Sequence, residues 1–273
     1  MSQKLLASTL IIIVLLFATQ CGFVSRRNEP SNQPQQQNLH GPGNSFAEKS
    51  YANAEGKIMR YLLFVPKDYD AKKKYPLILW LHGAGSRGDD LNLLLKGGDK
   101  SGIGFLAKAD VQSQYPSFIV APQLPSKSFW AMPKSPEPTV ELKLALDILN
   151  KVRDDYSIDD ARLYVMGISM GGFGTWDLIA RHPNTFAAAV PVCGGGNETK
   201  ASSLVNTPIW AFHGNKDDTV PVEESRRMIE AIRKAGGKPK YTEYEGVGHN
   251  SWENAFKEPD LLNWLFAQRL NVK

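Results

Sequence analysis

The sequence predicts an α/β fold, in which a mostly parallel β-sheet is covered by helices on both faces. Two kinds of segment predict it. Short continuous apolar runs, such as residues 76–81 and 117–121, indicate strands that are buried on both faces. Segments with apolar residues at helical spacing, such as 138–156, lie between such runs. Strands that alternate with helices pair in parallel through right-handed crossovers.

The predicted elements follow one another from residue 59 onward. The predicted strands are residues 59–65, 76–81, 117–121, 162–168, 186–193, 208–212 and 241–244. The predicted helices are residues 138–156, 170–182, 221–235 and 261–270. In this architecture ligands bind at the carboxyl ends of the strands, so we expect the chemistry in the loops that follow them.

Composition excludes several classes of function. The chain has 273 residues, of which 42% are hydrophobic and 22% charged, and its net charge is +4. No run of Lys and Arg stands out in the chain, so we expect no nucleic-acid partner. The two cysteines, Cys21 and Cys193, have no zinc-site spacing to histidine, and we expect neither a metal nor a cofactor. Cys193 lies in an apolar run and is expected to be a small buried residue. The oligomeric state stays open.

Residues 167–171 form a candidate nucleophile turn, with the sequence G-I-S-M-G. A predicted strand enters this segment and a predicted helix leaves it, which is the context that a G-x-S-x-G nucleophile elbow requires. Flanking glycines allow close approach of the neighbouring chain. The turn places the Ser169 hydroxyl at a helix N-terminus, where backbone N–H groups favour negative charge.

A serine nucleophile needs a base and an acid that orients the base. His249 is the last histidine of the chain and lies in a glycine-flanked loop after the last predicted strand, so it is the candidate base. Asp217 and Asp218, in the segment H-G-N-K-D-D-T-V-P (213–221), are the candidate acids. This segment resembles the H-G-x-x-D-x-x-V-P loop of dienelactone-hydrolase-like carboxylesterases. The resemblance implies Asp217 as the acid, and Asp218 is expected to cap the following helix.

A tetrahedral oxyanion needs two N–H donors, one of which is expected from Met170, the residue after the nucleophile. The second is expected from the loop after an early strand, where H-G-A-G (82–85) resembles the H-G-x-G segment of esterases. Ala84 is the candidate and Gly85 the alternative. The neighbouring charged residues Arg87, Asp89 and Asp90 either bind an acidic substrate or form ion pairs among themselves.

Longer segments extend the resemblance over most of residues 57–268. They include L-H-G-A-G-S-R-G-D-D (81–90), A-P-Q (121–123) with Trp130, G-G-F-G-T-W (171–176) and H-N-S-W (249–252). These resemble a bacterial family of peptidases or esterases related to feruloyl esterases and polyhydroxybutyrate depolymerases. The resemblance implies an α/β-hydrolase fold and hydrolysis of small or polysaccharide-borne esters, such as feruloyl or acetyl esters. Trp130 and Trp252 either line the substrate cleft or pack beside the site.

Two other functions are compatible with the sequence. A serine peptidase would use the same three side chains, because amides and esters are cleaved by the same machinery. A binding lipoprotein without catalysis would lack one of the three, whereas the sequence has all of them.

The N-terminus predicts export. Lys4 precedes an apolar stretch of 14 residues (5–18), so residues 1–21 are a predicted signal peptide, with an uncleaved anchor as the alternative. Cys21 resembles the acylated cysteine of a bacterial lipoprotein, although Gln20 departs from the small residue usual before it. Residues 22–45 are predicted to be a flexible tether and 46–273 the catalytic domain. We expect a periplasmic, outer-membrane-anchored or extracellular protein that meets the membrane only through this end.

Overall fold

A β-sheet runs through the part of the chain that the computed structural model describes, which is residues 38–41, 44–96, 102–132 and 134–270. Within these residues the sheet has nine strands, in the order β1-β2-β3-β5-β4-β6-β7-β8-β9. Along the chain they are β1 (Asn38–Gly41), β2 (Asn44–Ala52), β3 (Ile58–Phe64), β4 (Tyr75–Leu81), β5 (Phe118–Pro122), β6 (Ile158–Ile168), β7 (Ala188–Val192), β8 (Trp210–Gly214) and β9 (Lys240–Tyr244).

Most of the sheet is parallel. β4 pairs in parallel with β5 and β6, and the parallel pairing continues through β7, β8 and β9. Only β1, β2 and β3 run antiparallel to their neighbours among these strands. Every residue of β4, β5, β7 and β8 is buried, as expected for parallel strands between two layers of helices. The predicted α/β-hydrolase fold with a mostly parallel sheet is confirmed.

Helices cover both faces of the sheet. The α-helices of the described residues are α1 (Ile103–Leu106), α2 (Ala109–Gln114), α3 (Val140–Asp155), α4 (Met170–Arg181), α5 (Glu223–Lys234), α6 (Trp252–Ala255) and α7 (Leu261–Ala267). One hydrophobic cluster joins one face of the sheet to α3, α4 and α5 through residues such as Leu142, Trp176 and Met228. A second cluster joins the other face to α1, α6 and α7. The side chain of Thr139 begins α3 by accepting a hydrogen bond from the Leu142 N–H.

The structure adds elements that the pattern does not predict. β2 reads N-S-F-A-E-K-S-Y-A, without the alternation typical of a strand, and forms by antiparallel pairing with β3. β1 and the first residues of β2 lie within residues 22–45, the predicted tether, so the described end of that segment belongs to the sheet. Helices α1, α2 and α6 have four to six residues, too few for a helical period to be visible.

The predicted signal peptide, Cys21 and residues 22–37 of the predicted tether lie outside the described residues. Among the residues that are described, no helix has the length and apolar character needed to cross a bilayer.

Candidate active site

Ser169 lies at the turn between β6 and α4, in the loop layer at the carboxyl edge of the parallel strands. Its backbone has φ 53° and ψ −117°, a conformation that non-glycine residues rarely adopt. Ser169 directly precedes Met170, the first residue of α4, so its hydroxyl stands at the helix N-terminus. Strained backbone of this kind is concentrated at functional sites.

Two glycines allow this turn to pack against its neighbours. A Cβ on Gly171 would lie 1.8 Å from the carbonyl oxygen of Leu81, at the end of β4. A Cβ on Gly167 would lie 2.3 Å from the carbonyl oxygen of Gly171. The turn is therefore tight enough to exclude a side chain at both positions, which is the physical reason for the glycines of the G-x-S-x-G segment.

The structure brings the predicted base and nucleophile together. His249 Nε2 lies 2.9 Å from Ser169 Oγ, although 80 residues separate them in the chain. His249 follows β9, and the loop that carries it is joined to the loop after β8 by the hydrogen bond from the Lys216 N–H to the Val247 carbonyl, 2.9 Å long. The pairing of β8 with β9 thus sets the position of the imidazole.

Asp217 binds the other ring nitrogen. Its Oδ2 lies 2.8 Å from His249 Nδ1, and its Oδ1 accepts the N–H groups of Thr219 and Val220 at 2.9 and 2.8 Å. Burial by itself would raise the pKa of Asp217, but the hydrogen bonds from His249, Val220 and Thr219 outweigh it and hold the pKa below its usual value. The carboxylate is therefore ionised at neutral pH and can orient the imidazole.

Asp218 has a different environment. It is exposed, and its Oδ1 is 3.2 Å from the Thr219 hydroxyl. The expectation that Asp218 caps the following helix is wrong, because α5 begins after Val222 with no side-chain cap. Of the two candidate acids, only Asp217 is hydrogen-bonded to His249 among the described contacts.

The loop after β4 passes beside the nucleophile. A Cβ on Gly83 would lie 3.6 Å from the Cβ of Ser169, and Ala84 opens the 3₁₀ turn Ala84–Ser86 that follows. The Ala84 carbonyl accepts hydrogen bonds from the N–H and Nε of Arg87. Met170 is in the first turn of α4, where backbone N–H groups have no partner within the helix. Both predicted oxyanion donors, Ala84 and Met170, therefore belong to segments that adjoin Ser169.

The expected ion pairs between Arg87 and the aspartates Asp89 and Asp90 do not form within residues 84–96. The Arg87 guanidinium instead lies over the Phe129 ring, 5.4 Å from its centroid. The Asp90 carboxylate accepts the Asn92 N–H and begins a 3₁₀ helix at Leu91–Leu94. The Arg87 and Asp90 side chains therefore contact an aromatic ring and a backbone N–H, respectively. Charge spacing along the sequence does not predict this result.

The two tryptophans of the candidate cleft differ in exposure. Trp130 is fully buried, and its Nε1 donates to the His82 carbonyl at 2.9 Å, so the structure favours the packing alternative for this residue. Trp252 is half-buried, and its ring meets the His249 ring edge-on at 5.5 Å between centroids. Of the two, only Trp252 has surface beside the imidazole.

Two buried histidines lie beside the site, and the sequence pattern predicts no catalytic role for either. His82 accepts the Leu124 N–H on Nε2 and donates from Nδ1 to the Gly83 carbonyl, and burial lowers its pKa to about 4. His213 Nε2 lies 3.1 Å from Asp217 Oδ2. The sequence signal for His213 is its position four residues before Asp217, in the resembling H-G-x-x-D segment.

Cys193 is buried close to Asp217 and His249. Its thiol and one ligand atom each from Asp217 and His249 lie within 4.8 Å of one another, a spacing that could hold a metal ion. Burial raises the pKa of Cys193 to about 12, so the thiol is protonated. His249 Nδ1 and Asp217 already bind each other, and an ion here would displace that hydrogen bond.

A cavity of about 810 Å³ opens at the opposite edge of the sheet. Tyr75 and Arg162, near the amino ends of β4 and β6, are among its lining residues. Ser169 follows the carboxyl end of β6, so this cavity is separate from the site described above.

Comparison with known families gives one clear match. A model described as the dienelactone hydrolase family matches residues 119–259, more than half of the chain. This range includes Ser169, Asp217 and His249.

Three of the proteins similar to this chain are esterases by name. A crystal structure described as a thermostable esterase has 39% sequence identity and a TM-score of 0.78, covering 82% of this chain and 63% of that one. A probable feruloyl esterase C of Aspergillus flavus is 25% identical over 225 residues, or 80% of this chain and 79% of its own length. A bifunctional acetylxylan esterase/xylanase of Neocallimastix patriciarum is 30% identical over 96 residues, which are 35% of this chain. The chain spans only 14% of that protein. These matches support a carboxylic-ester hydrolase.

Proposed function

Because the chain belongs to the dienelactone hydrolase family, we propose that it is a serine hydrolase that cleaves carboxylic esters. Ser169 is the proposed nucleophile, His249 the base and Asp217 the acid. The observation that carries the proposal is an unbroken run of hydrogen bonds, from Ser169 Oγ to His249 Nε2 at 2.9 Å and from His249 Nδ1 to Asp217 Oδ2 at 2.8 Å. This is the geometry of nucleophile, base and orienter that serine catalysis needs.

In the proposed first step, Ser169 Oγ attacks the ester carbonyl while its proton passes to His249 Nε2. The resulting imidazolium is stabilised by the Asp217 carboxylate, which remains ionised. The carbonyl oxygen becomes an oxyanion, and the N–H groups of Ala84 and Met170 are the proposed donors to it. Collapse of this intermediate breaks the ester bond, and the alcohol leaves with the proton from His249.

In the proposed second step, water attacks the acyl group on Ser169. His249 removes a proton from the water, and a second tetrahedral oxyanion forms in the same donor pocket. Collapse returns the proton to Ser169 Oγ and releases the carboxylic acid. The cycle needs no cofactor, because every proton is carried by the imidazole.

The proposed substrates are esters of small molecules or of polysaccharides, with feruloyl and acetyl groups as the leading acyl groups. The relatives named feruloyl esterase and acetylxylan esterase support this substrate class. Trp252, half-buried and edge-on to His249, is the proposed aromatic wall of the cleft.

The proposed place of action is outside the cytoplasm. The apolar stretch at 5–18 after Lys4 supports a signal peptide at 1–21, and Cys21 supports a lipid anchor. One relative, from Arthroderma benhamiae, is described as a secreted protein, and this chain spans 24% of its length. Residues 22–37 are then a tether between the membrane and the catalytic domain.

A labelling experiment with a fluorophosphonate probe tests the proposal. The wild-type protein is expected to be labelled and to hydrolyse p-nitrophenyl acetate, whereas folded Ser169→Ala is expected to do neither. Ser50→Ala, which changes an exposed serine of β2, serves as the control and keeps both properties. A folded wild-type protein that takes no label and cleaves no ester contradicts the proposal.

Substrate class is tested in parallel on methyl ferulate, acetylated xylan and a set of peptide p-nitroanilides. The expected result is turnover of at least one ester with a kcat/KM well above that of every peptide. Faster cleavage of a peptide, lost in Ser169→Ala, would instead identify a serine peptidase.

A further inference from the structure

His213 is a buried ionisable residue that the catalytic steps above do not use. It lies near the end of β8, and its side chain, like that of Asp217, is 0% exposed. Its Nε2 is 3.1 Å from Asp217 Oδ2 and 3.0 Å from the Val220 carbonyl. Its Nδ1 is 2.8 Å from the Ser225 hydroxyl.

These contacts determine which ring nitrogen carries the proton. Both neighbours of Nε2, a carboxylate oxygen and a carbonyl oxygen, can only accept hydrogen bonds, so Nε2 must donate. Ser225 has one hydroxyl proton and two acceptors within reach, His213 Nδ1 and the Gly194 carbonyl at 2.8 Å. Burial lowers the pKa of His213, which favours the neutral ring. Because Nε2 must donate, the single proton of a neutral ring lies on Nε2 and leaves Nδ1 bare.

The same oxygen of Asp217 therefore receives two imidazole donors. His249 Nδ1 binds Oδ2 at 2.8 Å and His213 Nε2 binds it at 3.1 Å. The other oxygen, Oδ1, is held by the Thr219 and Val220 N–H groups. Rotation of the carboxylate would break bonds at both oxygens, so its plane is fixed before substrate arrives.

We infer that His213 is a positioning residue for the proposed acid: its Nε2–H holds Asp217 Oδ2 at the point where that oxygen accepts from His249. The inference rests on the proposed Ser169–His249–Asp217 mechanism. The described hydrogen bonds of His213 go to Ser225, Asp217 and Val220 and not to Ser169 or His249, so it acts through Asp217. Its register partner on β9 is Glu243, which is paired with Arg226.

Two substitutions separate positioning from packing. In His213→Gln the amide nitrogen reaches the place of the imidazole Nε2, whereas in His213→Asn it reaches only that of Nδ1. We expect folded His213→Asn to lose kcat by tenfold to a hundredfold, on the order of the cost of misplacing a catalytic group, with KM changed by less than about twofold. His213→Gln is expected to recover a large part of that loss.

His182→Asn is the matched control, because it replaces a half-buried histidine at the end of α4, away from the site. Its kcat is expected to equal that of the wild type. Folded His213→Asn with wild-type kcat overturns the inference, and so does His213→Gln impaired as strongly as His213→Asn. If the wild type is labelled at Ser169 and the His213 variants keep wild-type kcat, the role of His213 is wrong but the proposed mechanism stands. If the folded wild type is not labelled, the proposed mechanism itself is wrong.

A measurement on the wild-type protein does not depend on the folding of any variant. The ¹⁵N–¹H correlation spectrum of the histidine rings distinguishes protonated from unprotonated nitrogens. The expected result at pH 7 is a His213 ring with its proton on Nε2 and a bare Nδ1. A ring that carries its single proton on Nδ1 cannot donate to Asp217, and that result overturns the inference.

Discussion

Gly171 lies against the carbonyl group of Leu81 with no room between them for a methyl group. A Cβ at position 171 would come within 1.8 Å of the Leu81 oxygen. Leu81 is the last residue of β4, and Gly171 follows Ser169 by two residues. The end of β4 and the turn that carries the Ser169 hydroxyl are thus in direct contact. The distance between Ser169 and the loop that contains Ala84 depends on that contact.

The first prediction is that Gly171→Ala destabilises the protein by about 1–3 kcal/mol, the usual range for overpacking a tightly packed interior. The added methyl group must push α4 away from β4, so ester turnover falls as well. Urea denaturation followed by circular dichroism measures the change. Gly85→Ala is the stability control, since a Cβ there meets no atom within 4 Å. Equal unfolding free energies for the two variants would contradict the packing argument.

The second prediction concerns the two adjacent aspartates. Asp217→Asn is expected to lower kcat by about three to four orders of magnitude, because an amide favours the wrong imidazole tautomer. Asp218→Asn changes an exposed side chain and is expected to alter kcat by less than about twofold. Steady-state kinetics on p-nitrophenyl acetate compare the two variants. A large loss in Asp218→Asn with activity retained in Asp217→Asn would reverse the assignment.

The third prediction is that Cys193 resists thiol reagents in the native protein. Burial raises its pKa to about 12, and the reactive species is the thiolate. Iodoacetamide at pH 8 is expected to leave the Cys193 peptide unmodified, as read by mass spectrometry of the digest. The same treatment in urea is expected to alkylate it fully. Rapid modification of the folded protein would show that the thiol is accessible and ionised.

The fourth prediction links His82 to stability in acid. Burial, with a smaller contribution from the charge of Arg87, lowers the pKa of His82 from 6.5 to about 4. Between these pH values the unfolded chain binds more protons than the folded one, so the free energy of unfolding falls as the pH is lowered. This residue accounts for a loss of about 3 kcal/mol over the window. Denaturant titrations at pH 7 and pH 4 measure it.

His82→Asn serves as the comparison for that measurement. It has no imidazole to protonate, so its stability is expected to change less between pH 7 and pH 4 than that of the wild type. Identical pH dependence in the two proteins would assign the acid sensitivity to other groups.

The sequence predicts those parts of the fold that have a local signal. β4 and β5 are continuous apolar runs, and α3 and α4 carry the helical period, so each is predicted to within a few residues. β2 has no such pattern, because its conformation comes from pairing with β3. A strand whose conformation depends on its pairing partner has no pattern of its own in the sequence.

The candidate site likewise has residues with a local sequence signal and residues without one. The segment G-I-S-M-G indicates Ser169 because the tight turn requires small neighbours on both sides. The sequence does not predict the contact between His213 and Asp217, because that contact depends on side-chain directions at the end of β8. The sequence likewise does not predict the burial of Trp130, since an indole in a loop gives no indication of whether other residues cover it.

The four loops that build the site follow β4, β6, β8 and β9, and the last two strands pair with each other at one end of the sheet order. A fragment that stops before β9 lacks the His249 imidazole. A fragment that ends before the loop after β4 lacks Ala84, the proposed oxyanion donor. During refolding, esterase activity is therefore expected to recover only when the last of these strands has joined the sheet, and not when the first helices form. Recovered activity is then a direct readout of complete assembly.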